Sequence, residues 1–161
     1  MRSEDEINQA IETYADLVRR LCMLHLKNEQ DSEDIFQEVF IKYATNSKKF
    51  ENEEHEKAWI IRVTVNACKD LLKSFFRSRT VALENIIVES KDKGYEYNEV
   101  LEKVLLLPEK YKDVIFLFYY EEYTAVEIAG ILNKNVNTVY TLLARARKLL
   151  EKELRGNFYG E

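Results

Sequence analysis

Apolar side chains recur every three or four residues along most of this chain, the spacing that an amphipathic α-helix produces. Ser3 and Glu6 have the spacing of a capping box, in which each side chain satisfies a backbone N–H of the other residue. An apolar stripe follows directly, made of Ile7, Ala10, Ile11, Tyr14, Leu17, Val18, Leu21 and Leu24. The pattern predicts a first helix that begins after Ser3 and buries this stripe.

A second helix is predicted after a polar break at 27–30. Asp31 and Ser32 are its N-cap candidates, and we expect the helix to run from about Glu33 to Thr45. Its predicted core positions are Ile35, Phe36, Val39, Phe40 and Tyr43.

The outward face of this second helix consists of Asp34, Gln37, Glu38 and Ile41, spaced three or four residues apart. Asp34 and Glu38 are like charges at i, i+4, which costs an isolated helix about 0.2–0.5 kcal/mol. A partner surface that carries Arg would relieve this repulsion, with Ile41 as an apolar anchor beside it. The same residues also fit an ordinary solvent-exposed helix, because carboxylates near the N-terminus of a helix interact favourably with its dipole. Taken alone, these residues slightly favour this second explanation.

A third helix is predicted from about Glu56 to Phe76, after the polar, aperiodic stretch 46–54. Its core candidates are Ala58, Trp59, Ile61, Val65, Cys68, Leu72 and Phe75. Six basic residues accompany them, and Trp59 and Phe75 lie among these along the chain: Lys57, Arg62, Lys69, Lys73, Arg77 and Arg79. Aromatic rings among cations can stack on unpaired bases while the cations hold the phosphate backbone. For Trp59, which occupies an apolar position, the pattern favours a place in the core.

Clear periodicity is lost over 77–97, which we interpret as a flexible linker with a short helix near 83–88. Helical spacing returns over Glu99–Leu107. Pro108 then ends one helix and can open the next, which we expect to run to about Tyr120.

The last third of the chain has the pattern of a helix-turn-helix. Thr124 and Glu127 form a second capping box before a short apolar run. Asn133 tolerates the left-handed backbone of a tight turn, and Asn135 can cap a following helix that begins at Val136. The predicted inward positions are Ile128, Ala129, Leu132, Val136, Val139, Leu143, Ala146 and Leu150.

The opposite face of the last helix is polar and basic: Asn137, Tyr140, Thr141, Ala144, Arg145 and Lys148. Such a face suits the major groove of DNA, where early residues of a recognition helix reach base edges and cations bind phosphate. A helical hairpin whose exposed face only confers solubility has the same spacing. The basic character of the face favours DNA binding.

The composition narrows the class of protein. Four Gly and one Pro are too few for a turn-rich β protein, whereas 46% hydrophobic residues are enough for helical cores. Cys22 and Cys68 lie in apolar stretches and fit a reducing compartment, as buried thiols rather than a redox pair. Neither a signal peptide nor an apolar run long enough to span a membrane is expected.

The net charge of −5 does not by itself suggest nucleic-acid binding. Its distribution is uneven, because basic residues dominate 57–79 and 134–161 and acidic residues dominate 1–56 and 80–133. A protein that contacts polyanions at two separate places would have this pattern. Helix faces that only contact solvent would have it too, and the charge distribution alone favours this second explanation.

Enzyme motifs are not evident. His25 and His55 are isolated, and His55-Glu56 lacks the second histidine of a zinc-protease motif. No phosphate-binding loop, Cys-x-x-Cys pair or nucleophile elbow is present in the sequence. We therefore expect no catalytic residue, metal or cofactor.

Two sets of residues together resemble regions two and four of the sigma-70 family of bacterial RNA polymerase sigma factors. The first is Asp31-x-x-Asp-Ile-x-Gln-Glu-x-Phe40, followed by Ala58-Trp-Ile-x-x-Val-x-x-Asn66 and Asp70. The second is Leu107-Pro-x-x-Tyr-x-x-Val-Ile-x-Leu117, followed by Thr124-x-x-Glu-Ile-Ala129 and Asn137-Thr-Val-Tyr-x-x-Leu-x-Arg-Ala-Arg147. No third domain fits between them, which resembles the extracytoplasmic-function (ECF) group.

The resemblance implies an all-α fold of two small helical domains. These are a three-helix region-two domain at 1–79, a flexible linker at 80–97 and a helix-turn-helix region-four domain at 98–161. It implies a non-enzymatic initiation factor, monomeric when free and cytoplasmic without membrane insertion, that binds core RNA polymerase and directs it to promoters. An anti-sigma factor is a further expected partner. The alternative is a stand-alone helix-turn-helix regulator, which would dimerise on a paired DNA site.

The resemblance also implies roles for matching residues. The clamp helices of the largest polymerase subunit would meet Asp34, Gln37, Glu38 and Ile41, and the flap of the second-largest subunit would pack on the last domain. The minus-ten element would contact Lys49, Phe50, Arg62, Asn66, Lys69 and Lys73, with the loop Ser47–Glu54 holding a flipped base. The minus-thirty-five element would contact Thr124, Asn137, Tyr140, Thr141, Ala144, Arg145 and Lys148.

Overall fold

The computed structural model describes the backbone of residues 1–78 and 99–158, and the side chains of residues 1–75 and 101–153. Every regular element in those ranges is a helix, which confirms the all-α prediction. The chain divides into two compact units, one within residues 1–90 and one within 91–161. The short helix predicted near 83–88 lies outside the described residues. None of the described helices is both long and apolar enough to cross a membrane.

Three helices build the first unit: α1 (Glu4–Leu26), α2 (Glu29–Thr45) and α3 (Glu53–Ser78), each packed on the other two. The shared core consists of Val18, Leu21, Cys22, Val39, Ile60, Ile61, Val65 and Cys68. Burial of a large apolar side chain contributes roughly 1.5–3 kcal/mol, so this core is the main source of stability of the unit. Four predicted core residues of α3 are only half-buried: Ala58, Trp59, Leu72 and Phe75.

The second helix begins earlier than predicted. Asn28 is its N-cap and accepts a 2.8 Å hydrogen bond from the Asp31 N–H through Oδ1. The prediction that Asp31 or Ser32 caps this helix was therefore wrong. Lys27 explains the difference, because its left-handed conformation (φ 60°) turns the chain sharply at the end of α1. Only two residues, Lys27 and Asn28, then separate the two helices.

The third helix also begins earlier than predicted, at Glu53 rather than Glu56. Oδ1 of Asn52 accepts a 2.8 Å hydrogen bond from the His55 N–H, which is the geometry of an N-cap. The helix continues to Ser78, two residues beyond the predicted end at Phe76.

The second unit contains α4 (Glu99–Leu105), α5 (Glu109–Ile115), α6 (Ala125–Leu132) and α7 (Val136–Phe158). Pro108 separates the first two helices as predicted, although α4 ends two residues before Leu107. After α5 the chain widens into a π-helical turn, Phe116–Tyr120, closed by a 3.2 Å hydrogen bond from the Glu121 N–H to the Phe116 carbonyl. The predicted end near Tyr120 is confirmed.

The turn between α6 and α7 follows the helix-turn-helix prediction closely. Both bonds of the Thr124–Glu127 capping box are present, at 3.1 and 2.9 Å. Asn133 is left-handed (φ 57°), and Oδ1 of Asn135 accepts a 2.8 Å hydrogen bond from the Asn137 N–H. The inward residues Ile128, Ala129, Val139, Leu143 and Ala146 are buried, and Leu132, Val136 and Leu150 are half-buried.

Candidate polymerase-binding and nucleic-acid interfaces

The outward face of α2 is solvent-exposed at all four predicted positions: Asp34, Gln37, Glu38 and Ile41. Ile41 is the apolar member of this face and is 62% exposed, which is unusual for an isoleucine inside a helix. Nζ of Lys42 lies 3.1 Å from Oε2 of Glu38, so one of the two carboxylates already has a cationic neighbour. Both side chains are about half exposed, and such a pair contributes little to stability.

The basic face of α3 brings Arg62, Asn66, Lys69 and Lys73 into one line, because the four residues are spaced three or four apart. Asn66 and Lys73 are exposed, and Arg62 and Lys69 are half-buried. The lower part of Arg and Lys side chains commonly covers apolar surface while the charged end stays near water. The face therefore combines a hydrogen-bonding amide with cations along about three helical turns.

An aromatic cluster lies where the loop between α2 and α3 meets those helices. The ring of Phe50 stacks nearly parallel to Tyr43 at a centroid distance of 6.4 Å. It also contacts His55 edge-on at 5.6 Å and Trp59 at 5.6 Å. Trp59 is thus packed on one side, yet remains half-buried rather than enclosed in the core that the sequence pattern favoured. Lys49, next to Phe50, is exposed.

The predicted reading face of α7 is exposed throughout: Asn137, Tyr140, Thr141, Ala144, Arg145 and Lys148. The spacing of these residues places them on one side of the helix, opposite the buried residues Val139, Leu143 and Ala146. Tyr140 is 55% exposed, so a large aromatic side chain projects from the first turns of the helix. Thr124 is also exposed, but its hydroxyl oxygen already accepts the capping bond from the Glu127 N–H.

Comparison with known proteins identifies the family. The model of Sigma-70 region 2 matches residues 10–79, and that of Sigma-70, region 4, matches residues 97–150. The ECF RNA polymerase sigma factor SigW of Bacillus subtilis is 30% identical over 169 residues, which cover 94% of this chain and 90% of SigW. The chain belongs to the ECF RNA polymerase sigma factors. It is accordingly an initiation factor that directs RNA polymerase to promoters.

Other relatives agree with this assignment. The sigma factor SigV of Bacillus subtilis is 33% identical over 137 residues, which cover 84% of this sigma factor and 82% of SigV. The sigma factor RpoE from Bartonella quintana, solved with the anti-sigma factor NepR, has a TM-score of 0.76 at 17% identity and covers 93% of this chain and 97% of RpoE. CnrH, solved with the cytosolic domain of CnrY, has a TM-score of 0.69 at 19% identity, and the match covers 96% of this chain and 90% of CnrH. At these identities the two solved structures support the fold alone.

A carboxylate of this sigma factor ties its first three helices together. Tyr14 on α1 donates a 3.0 Å hydrogen bond to Oε1 of Glu56 on α3, and Tyr43 on α2 donates a 2.7 Å bond to Oε2. Burial, followed by the hydrogen bond to Glu56, raises the pKa of Tyr43 to about 12. The same two causes raise the pKa of Tyr14. The sequence pattern placed Tyr14 and Tyr43 in the core but did not indicate their shared acceptor.

Arg147 of α7 is the second feature that the sequence analysis missed. Its Nε donates a 2.6 Å hydrogen bond to the Tyr119 hydroxyl, and its guanidinium lies 5.3 Å from the centre of the Phe118 ring. Arg147 thus binds the π-helical turn, whereas Arg145 points away from the buried face.

In the described part of the sigma factor, no group of three or more His, Cys, Asp or Glu side chains is arranged to hold a metal ion. The thiols of Cys22 and Cys68 are buried and do not form a disulfide.

Proposed function

We propose that the two units of this sigma factor divide promoter recognition between them. A region-two domain at 1–79 docks on core RNA polymerase and holds the minus-ten element, and a region-four domain at 98–161 reads the minus-thirty-five element. Residues 80–97 are the linker. The observation that carries this proposal is the presence of a partly exposed basic face on α3 and an exposed basic face on α7, one in each compact unit. Separate family models over 10–79 and 97–150 support it.

Core polymerase docks, in this proposal, on the face of α2 formed by Asp34, Gln37, Glu38 and Ile41. Its partner is the pair of clamp helices of the largest subunit. The exposed Ile41 supplies an apolar anchor and the two carboxylates supply charge complementarity to cationic residues of the partner. The Lys42–Glu38 pair would have to exchange partners on binding. The flap of the second-largest subunit packs on the second unit.

The minus-ten element binds along α3 and the preceding loop, through Lys49, Phe50, Arg62, Asn66, Lys69 and Lys73. Cations spaced along a helix suit a phosphate backbone, and the half-buried aromatic cluster around Phe50 offers a stacking surface for an unpaired base. A base that flips out of the duplex loses its stacking on neighbouring bases. In the loop 47–54, stacking on the aromatic cluster would offset this loss.

The minus-thirty-five element binds in the major groove to α7. Asn137, Tyr140, Thr141, Ala144 and Arg145 lie along the part of the helix that reaches base edges, while Thr124 and Lys148 bind phosphates. Arg145 is the residue best suited to guanine, because its guanidinium can bond two acceptors of that base at once.

The sigma factor acts, in this proposal, as a non-enzymatic and cofactor-free adaptor in the cytoplasm. It is monomeric when free and is sequestered by an anti-sigma factor. The sigma factor RpoE, which has a similar fold, was solved with the anti-sigma factor NepR, and this complex motivates the last point.

Run-off transcription with purified core polymerase and fragments of the source genome tests the proposal. Transcripts that start at defined sites only when this sigma factor is added would support it. A chain that ignores core polymerase and binds duplex DNA as a dimer would instead be a stand-alone helix-turn-helix regulator. Gel filtration and a pull-down on core polymerase distinguish the two outcomes.

A further inference from the structure

Arg2 reaches the C-terminal end of α2 from the start of the chain. Its backbone N–H donates a 2.9 Å hydrogen bond to the Ala44 carbonyl, and its Nε donates a 3.1 Å bond to the Tyr43 carbonyl. The last carbonyls of a helix lack intrahelical partners and carry partial negative charge. A guanidinium in this position therefore stabilises the end of α2 by hydrogen bonding and by charge.

The same guanidinium also holds the loop that follows α2. Nη2 of Arg2 donates a 2.6 Å hydrogen bond to the carbonyl of Lys48, in the middle of the loop. The planar group lies 4.5 Å from the centre of the Tyr43 ring and 5.0 Å from the centre of the Phe50 ring. Its Nη1 is 3.6 Å from Oε2 of Glu6 on α1. One side chain thus joins α1, the end of α2 and the aromatic ring of the loop.

Arg2 is poorly placed to bind DNA itself, because its side chain is 9% exposed and its donors are directed to backbone carbonyls. Its effect on nucleic acid must act through the residues that it holds. Those residues are Lys48 and Phe50, which flank Lys49 in the segment proposed to take up a base of the minus-ten element.

We infer that Arg2 is a positioning residue for the minus-ten pocket, fixing the Lys48 carbonyl and the Phe50 ring in the arrangement that discriminates among bases. The inference rests on the proposed function of the loop 47–54. Only an arginine satisfies the geometry, since a planar fork donates from Nε and Nη2 in fixed directions while its faces contact aromatic rings. A lysine ammonium supplies the charge without that geometry.

The test compares Arg2→Ala and Arg2→Lys with Arg19→Ala in holoenzyme assembled from purified core polymerase. Arg19 is a matched control, because it lies on α1 and its guanidinium lies 4.2 Å from the centre of the Phe36 ring, which belongs to α2 and not to the loop. Each holoenzyme transcribes one promoter library with randomised minus-ten bases, and sequencing the transcripts gives the ratio of the best to the worst base at every position. This ratio does not depend on the folded fraction, so a merely structural defect leaves it unchanged.

We expect both Arg2 variants to lower the base ratio at one minus-ten position by roughly fivefold or more, since a mismatched base in a specific site carries a penalty of that order. Arg19→Ala should keep the wild-type ratio. Trp59 is the only tryptophan of the chain and contacts Phe50, so acrylamide should quench its fluorescence more readily in both Arg2 variants.

Two results would overturn the inference and leave the proposed function intact. If Arg2→Lys retains the wild-type ratio and quenching while Arg2→Ala loses them, the charge of Arg2 matters and its geometry does not. If both variants retain the ratio, the loop needs no positioning by Arg2. If the wild-type holoenzyme shows no base preference at any minus-ten position, the proposed function of the loop is wrong, and the inference fails with it.

Discussion

The hydroxyl of Tyr43 donates a 2.7 Å hydrogen bond to the Glu56 carboxylate, which connects the end of α2 to the start of α3. The second oxygen of the same carboxylate accepts the 3.0 Å bond from Tyr14 of α1. An acceptor carboxylate makes stronger hydrogen bonds than a neutral group. Glu56 therefore stabilises the three-helix unit and supports the ring of Tyr43, against which Phe50 stacks.

Glu56→Gln should lower the free energy of unfolding by about 1.5 kcal/mol, because the amide offers one acceptor oxygen and turns a donor toward the other tyrosine. Urea denaturation of the two proteins measures the difference. Glu54→Gln is the control, since Glu54 is exposed on the same first turn of α3. Equal losses in the two variants would mean that the tyrosine bonds contribute nothing specific.

Tyr43 also makes stability depend on pH. Its pKa is about 12 in the folded protein, above the ordinary value of 10.0. The stabilising contribution is therefore complete below pH 10, and it is lost as the pH rises through the folded value. We expect Tyr43→Phe to be less stable at neutral pH by roughly 0.5–1.5 kcal/mol and to lose less stability than the wild type between pH 10 and 12. If the free energies of unfolding of the wild type and of Tyr43→Phe fall in parallel between pH 10 and 12, Tyr43 is not the source of this pH dependence.

Periodicity and local capping chemistry predicted most of the fold, because both depend on residues close together in the chain. The Ser3–Glu6 and Thr124–Glu127 boxes, the left-handed Asn133 and the start of α7 at Val136 follow directly from such local patterns. The start of α2 was missed because a lysine, Lys27, rarely adopts the left-handed conformation that shortens the connection.

Long-range polar contacts could not be predicted in this way. Arg2 and Lys48 are 46 residues apart in the chain, and Tyr14 and Glu56 are 42 apart, so no periodic pattern relates them. The burial of Lys112, whose Nζ lies 3.1 Å from Oε2 of Glu109, also contradicts the usual exposure of lysine. By contrast, the exposed faces of α2 and α7 were predictable, since exposure follows from the buried stripe opposite.

The acidic face of α2 gives a third prediction. The double variant Asp34→Arg with Glu38→Arg should weaken binding to core polymerase by roughly tenfold or more, because like charges facing each other across an interface are strongly unfavourable. Surface plasmon resonance on immobilised core measures the loss. Glu12→Arg with Asp16→Arg is the matched control: this pair is exposed on α1 with the same spacing of four residues. Unchanged affinity of the Asp34/Glu38 variant would remove α2 from the docking surface.

Arg145 gives the last prediction, which separates base reading from phosphate binding on α7. Arg145→Ala should weaken holoenzyme–promoter binding by roughly 1–3 kcal/mol if the guanidinium reads a base, and Arg145→Lys should not restore the base preference because it cannot bond guanine with the same fork. If Arg145 only binds phosphate, the lysine variant recovers the affinity. The alanine variant then lowers, by about one, the slope of the logarithm of the binding constant against the logarithm of the salt concentration, and it does so equally for every promoter sequence. Filter binding over a salt series, on promoters altered at each minus-thirty-five position, distinguishes the two cases. Wild-type affinity in the alanine variant would place Arg145 outside the interface, and the reading face of α7 would then consist of Asn137, Tyr140, Thr141, Ala144 and Lys148.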